Sequence, residues 1–494
     1  MKIPRIAFCT PVNPAPTGIS DYSEELLPYL AQYCDITLYL ADGLKPTNPA
    51  LSQHLDVRPM RRLERAHRRA PYDAIVYHMG NSPAHADIWR VAQRVPGVVV
   101  LHDFVLHHFM LWYAANVYHD VQRYVGDMRR YYGEAGDHVA QLMIRGHFTP
   151  AAFDFPCCEA VLSAARAVLS HNRYVQQQVA ARAPALPNEI VPMGVPLPPL
   201  IPREAARARL GIPPDALVLA SFGHINAYKR MEPALRALLE LRRDYPTARY
   251  VLVGSVSPNY DVAGLVQRMG LSDAVQITGY VDRAMFEDYV AAADICINLR
   301  HPTSGETSAS LLRLLGAGKP TLVSATGSYA ELPPHVAAQV DLDASENELL
   351  VRYVRLLVER PEVAAALGAN ARAFVAHHHT LDLSAQRYAR LLARWYAWPV
   401  VMRFREAPLW EVGTREGEER ERRGEGAAER RGSEAAGTRG GEEARTREGE
   451  AAATENAVLG EIAQQLVEIG VTEEDETVLR LVALHLAEVG GGIA

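Results

Sequence analysis

The chain has 494 residues, a hydrophobic share of 48% and a formal net charge of −7. Such a length predicts two or three domains with sizeable cores, and the charge excludes an overall basic field that would recruit nucleic acid. Cys9, Cys34, Cys157, Cys158 and Cys296 show no CxxC spacing, which fits buried free thiols in a reducing compartment. The start, MKIPRIAFCTPVNP, is too short and too soon broken by proline for a signal peptide. No stretch approaches the ~20 apolar residues of a membrane span. A cytoplasmic protein is expected.

RIAFCT reads as a first strand, and SDYSEELLPYLAQY as a helix with Tyr22, Leu26, Leu27 and Leu30 on one face and Ser20 placed to cap. DITLYLA, DAIVYHMG, GVVVLHD and AVLSHN are further strands. Near-continuous apolar strands separated by helices indicate a parallel sheet covered on both faces. Proline-rich residues 191–204 read as a linker. The pattern then restarts: LVLASFGHI is a strand and MEPALRALLELRRDY a helix, and RYVLVGS, AVQITGYV, ADICINLR and PTLVSA are strands. This α/β alternation predicts two doubly wound, Rossmann-like domains, 1–195 and 205–380, facing a cleft. Residues 383–398 form a last amphipathic helix.

Residues 412–456 mix both charges with almost no large apolar side chain. They cannot bury enough surface to offset chain entropy, which predicts a disordered linker. Apolar periodicity returns over 457–491 as two short amphipathic helices around TEEDE. A pair this small is marginal alone and is expected to dock on the body, on a partner or on itself.

Chemistry concentrates at the strand ends. After Phe222 and Gly223, Lys229 and Arg230 stand just before a helix, and cations beside helix-start amides suit a phosphate. The competing reading is a solvated pair. Gly18 follows the first strand, where a glycine lets a ligand approach the backbone or simply serves a turn. His102 and Asp103 end a buried strand and should face the cleft, as should His78 and Asn81. The spacing of His102 to His107 and His108 does not make the shared helix face of a metal motif, so no metal site is expected. In HPTSGETSASLLRLLGAGKP, Glu306 precedes a helix. Either it serves the helix dipole, or it accepts hydrogen bonds from sugar hydroxyls beside Ser304, Thr307 and Ser308. Arg313, seven residues on, is placed to share a face with it but about 10 Å away by rise, which predicts separate roles.

The segments PTGISDYSEELLP, VLHD, VPMGV, FGHINAYKR and GETSASLLRLLGAGKPTLVSATGSYAELP, in this order over roughly residues 1–400, resemble the retaining GT-B glycosyltransferases of family 4. The resemblance implies a nucleotide-sugar donor on the second domain, a glycan, lipid-linked or other acceptor entering from the first, and a last helix crossing back. By position, Lys229 matches the lysine that holds the donor diphosphate, Gly18 the loop near the phosphates, His102 the histidine near the reacting sugar, and Glu306 the first of two glutamates. Gly223, His224, Arg230, Gly305, Thr307, Ser308 and Arg313 fall on the donor side, and Asp21, His78, Asn81 and Asp103 on the acceptor side. His224 stands where the family usually has arginine. Arg313 aligns, after a one-residue deletion, with the second glutamate, which usually holds the donor ribose.

The implied reaction is transfer with retention, by front-face attack without a protein nucleophile or a metal, and with no cofactor beyond the nucleotide-sugar co-substrate. Two rivals share the fold. A nucleotide-sugar 2-epimerase would form an epimer without acceptor, and a non-catalytic glycan- or partner-binding module would form nothing. Peripheral contact with the inner membrane face fits a lipid-linked acceptor, although no strongly basic amphipathic helix demands it. Self-association through 457–491 is a further expectation.

Overall fold

The computed structural model describes residues 3–147, 150–400 and Trp410. The expected linker at 412–456 and the helical pair at 457–494 lie outside the described residues. Both sheets belong to one compact unit, Met1–Glu359 with Ala364–Gly417.

The first sheet contains β1 (Arg5–Cys9), β2 (Asp35–Leu40), β3 (Asp56–Pro59), β4 (Ala74–Met79), β5 (Val98–Leu101), β6 (Ala167–Ser170) and β7 (Asn188–Ile190). The second contains β8 (Val218–Phe222), β9 (Arg249–Val253), β10 (Val275–Gly279), β11 (Ile295–Asn298), β12 (Thr321–Ser324) and β13 (Ala338–Val340). Their orders are 3-2-1-4-5-6-7 and 10-9-8-11-12-13, with every pairing parallel. β1 shows why its sequence is apolar throughout. Ile6 and Phe8 enter one core, Ala7 and Cys9 the other, as the two-residue period of a strand covered on both faces requires. All five cysteines are buried and free.

Three strands were not legible as apolar runs: β3, β7 and β13. Each is an edge strand of three or four residues, so its side chains are largely half-exposed and its sequence carries polar residues. The sequence also signals no element between the fifth and sixth strands of the first sheet. The structure places helices His107–Asn116 and Val121–Ile144 there. They enclose a small core of their own, including Tyr124, Met128, Ala140 and Met143.

The linker between the domains is irregular but pinned. Val191, Met193 and Val195 are buried. Ser384 Oγ donates to the Pro192 carbonyl at 2.5 Å, and His379 Nδ1 to that of Met193 at 2.9 Å. The last helix, Leu381–Tyr396, does cross back and packs on helix Gly18–Leu30 of the first domain, where Tyr22 donates from its hydroxyl to that of Tyr388 at 3.3 Å. Leu381, Tyr388, Leu391 and Leu392 are buried there, each apolar side chain contributing roughly 1.5–3 kcal/mol. The cap of helix Gly18–Leu30 is Thr17 rather than Ser20. Thr17 Oγ1 accepts from Ile19 N, while Ser20 Oγ is turned to the Ala15 carbonyl.

Candidate active site

Most of the candidate residues gather where the C-terminal ends of both sheets meet, the place where α/β folds bind ligands. On the second domain, β8 ends at Phe222 and the chain turns at Gly223, whose φ of +87° is a glycine conformation. A Cβ there would lie 3.0 Å from Lys229 Nζ. Lys229 is buried and donates to the Phe222 carbonyl. Burial, and next the neighbouring Arg300, push its ammonium down to about 7, against the opposing pull of Glu306.

Arg300 follows β11, and its Nε lies 2.9 Å from Glu306 Oε1. Burial works against its charge, but Tyr329 and Glu306 beside it outweigh that and leave its pKa raised. Glu306 Oε2 also accepts from Thr303 Oγ1 at 3.0 Å and from the Ser304 amide at 2.9 Å. Ser328 Oγ donates to the Glu306 carbonyl. Glu306 therefore closes the loop after β11 on itself. It does not stand in the following helix, which starts at Ala309 behind the cap Ser308. The expected shared helix face with Arg313 is not formed.

The two domains touch through that loop. The Ser304 carbonyl accepts from the amides of Phe104 and Val105 at 2.7 and 3.0 Å. Asn172 Nδ2 donates to the Gly305 carbonyl and to Thr307 Oγ1, both at 2.9 Å. Gly305 has φ +82°, and a Cβ on it would press within 2.9 Å of Val175 and 3.0 Å of Phe104, so neither its backbone nor its neighbours admit another residue. Asn172 also caps helix Arg173–Arg182 through Oδ1. Glu331 of the second domain accepts from the amides of Arg173 and Tyr174 at that same helix start.

On the first domain, Asp103 Oδ2 accepts from the Asn81 amide at 2.8 Å. Burial, and then the facing Glu306, push its carboxyl up to about 7. Asn81 Oδ1 accepts from the Phe109 amide at 2.9 Å, which ties the loops after β4 and β5 together. His102 is buried, and its Nε2 pairs with His78 Nδ1 at 2.8 Å. His85, His171, Tyr22 and Tyr388 complete a buried group around this pair. Burial holds His78 and His102 well below the usual imidazole range and takes His85 and His171 down to about 4. Gly18 is the first residue of its helix, and a Cβ on it would meet nothing within 4 Å. The next residue, Ile19, reaches Gly80, beside Asp103 Oδ2 and His85 Nε2.

Three expected site residues, Arg230, Arg313 and Asp21, are engaged away from this group. Arg230, at φ +54°, forms a two-point pair with the buried Glu346, so its charge is already matched within the second domain. Arg313 Nη2 donates to both carboxylate oxygens of Glu25, at 2.7 and 2.8 Å. His224 stays beside the site: it is exposed, with Nδ1 3.0 Å from Ser255 Oγ, and burial and next the charge of Lys229 hold its imidazole below the usual range. Asp21 is exposed and accepts from Asn13 Nδ2. The sequence reading missed Arg300, Glu25, Asn172, His85 and Tyr329. A signal existed for Arg300, a charged residue at the exit of an otherwise apolar parallel strand. Among the described residues no three His, Cys, Asp or Glu side chains are grouped so as to hold a metal ion. No helix among them is long and apolar enough to cross a membrane.

Two parallel sheets with these side chains at the facing ends of their strands define a class of fold. The chain superposes on sucrose-phosphate synthase from Thermosynechococcus elongatus with a TM-score of 0.59 and 18% identity, over 80% of this chain and 99% of that one. It superposes on Anabaena Alr3699/HepE, solved in complex with UDP and glucose, with a TM-score of 0.56 and 18% identity, over 79% and 99%. The fold is that of the GT-B glycosyltransferases. Residues 202–374, within the second domain, match the family Glycosyl transferases group 1. A D-inositol 3-phosphate glycosyltransferase of Kineococcus radiotolerans is 37% identical over 118 residues, 22% of this chain and 27% of the relative. The chain thus aligns with about a quarter of that relative's length.

Proposed function

We propose that the chain is a glycosyltransferase that moves a sugar from a nucleotide-sugar donor to a glycan or lipid-linked acceptor, with retention and without a metal. The observation that carries this is the pairing of the buried Lys229 with the largely shielded Arg300, 14% exposed, after β8 and β11, in a domain that matches the group 1 glycosyl transferases.

In the proposed step the bond from the sugar's anomeric carbon to the diphosphate oxygen breaks, and its electron pair stays on the diphosphate. The acceptor oxygen bonds to the anomeric carbon on the same face, and its proton passes to the departing phosphate oxygen. Negative charge grows on the leaving group, where Lys229 and Arg300 are placed to stabilise it in a site shielded from water. A diphosphate would also draw a proton onto Lys229. Asp103 and the Asn81 loop would meet the acceptor, and Glu306 would shape the donor loop, its carboxylate held by Arg300, Tyr329, Thr303 and the Ser304 amide. The test is incubation with UDP-, GDP- and dTDP-sugars and a panel of sugar and lipid-linked acceptors. Glycosylated acceptor with the donor's anomeric configuration, formed in the presence of a chelator, supports the proposal. Free epimer without acceptor, or nucleotide binding without turnover, contradicts it.

A further inference from the structure

We infer that Glu25, on the first domain, is a positioning residue for the donor loop 303–308 of the second. This rests on the transferase reading for its functional meaning. Glu25 sits in helix Gly18–Leu30, and its side chain is 5% exposed. Both its oxygens receive Arg313 Nη2, and Oε1 also receives Arg283 Nη1 at 3.1 Å. Arg313 is 16% exposed and Arg283 39%, so the Arg313 contact is the better shielded from solvent.

Arg313 lies in helix Ala309–Gly316, which the donor loop enters directly. The loop's other ties to the first domain are the four hydrogen bonds from Phe104, Val105 and Asn172. Glu25 thus holds the helix behind the loop while the first domain's backbone and Asn172 hold the loop itself. Its conformation is set from both sides by a domain that does not carry the donor lysine. Where Glu25 loses its charge, Arg313 is left unpaired in a shielded place, and the cheapest relief is a shift of its helix. That shift would release the loop and weaken the donor site without touching Lys229.

The test uses the full chain and three variants: Glu25→Gln, Arg313→Met and the double variant. Hydrogen exchange of the amides of residues 303–312 is measured against that of β1 and β2. Each single variant should speed exchange in 303–312 roughly tenfold or more, the scale of a charge-assisted hydrogen bond, with β1 and β2 unchanged. Donor KM should rise by a similar factor while kcat changes less. The double variant should be no worse than the worse single, because one interaction is lost in each. Unchanged exchange in folded variants, or single effects that simply add in the double, would overturn the inference. A wild-type chain that turns over no nucleotide sugar would sink the transferase reading instead, while the exchange result would still decide whether Glu25 sets the loop.

Discussion

Arg300 Nε and Glu306 Oε1 are 2.9 Å apart, with side chains 14% and 20% exposed. The carboxylate that precedes helix Ala309–Gly316 is therefore half of a shielded ion pair before any ligand arrives. Breaking such a pair from one side leaves an uncompensated charge. Arg300→Met should cost about 3 kcal/mol of stability. Glu306→Gln should cost about 1.5–3 kcal/mol in addition to any loss of transfer. Urea unfolding of both variants checks this, and unchanged midpoints would mean that the pair is effectively solvated.

Asp103 has its carboxyl pushed up to about 7 by burial and by Glu306. The folded state therefore keeps a proton that the unfolded state releases near pH 4. Stability from this group is present below the unfolded value and is lost as pH rises through the folded one. Relative to Asp103→Asn, which cannot titrate, the wild type should lose stability between about pH 4 and pH 7, at about 1 kcal/mol per pH unit in mid-window. Thermal melts of both proteins across that range give the comparison. Parallel curves would show that Asp103 is ionised in the native protein.

Trp410 is 7% exposed and stacks on His54 at 4.9 Å. A chain ending at Pro399 loses that contact, whereas one ending just after Trp410 keeps it. The shorter chain should be less stable by about 1–3 kcal/mol, and the longer one should match the full chain in stability and transfer. Melting and activity measurements on the two truncations check this. A longer truncation that folds but is inactive would show that the residues after Trp410 take part in the chemistry.

Most of the fold could be read in the sequence because a parallel strand buried on both faces leaves an unmistakable apolar run. β1, β5 and β8 are such strands. The edge strands β3, β7 and β13 have no such run, since only part of each is covered. The site was legible where a residue's role depends on its place at a strand end, as for Lys229 and Asp103. It was not legible where the role depends on a distant partner. Nothing near Arg313 indicates Glu25, 288 positions away, and nothing near Arg230 indicates Glu346, 116 positions away. Both arginines looked like ligand contacts locally, and folding gave each an internal carboxylate.

The most direct measurement is calorimetric titration of UDP, GDP and dTDP and their sugars into wild type and Lys229→Ala at pH 8, in two buffers of different ionisation enthalpy. With its ammonium pushed down to about 7, Lys229 is mostly neutral at that pH in the free protein, and an arriving diphosphate should restore its charge. The expected result is specific binding of one nucleotide class with uptake of up to one proton, and in the variant ten- to a hundredfold weaker binding without that uptake. Binding of no nucleotide by the wild type, or equal affinity and proton uptake in the variant, would contradict the assignment of Lys229 to the leaving diphosphate.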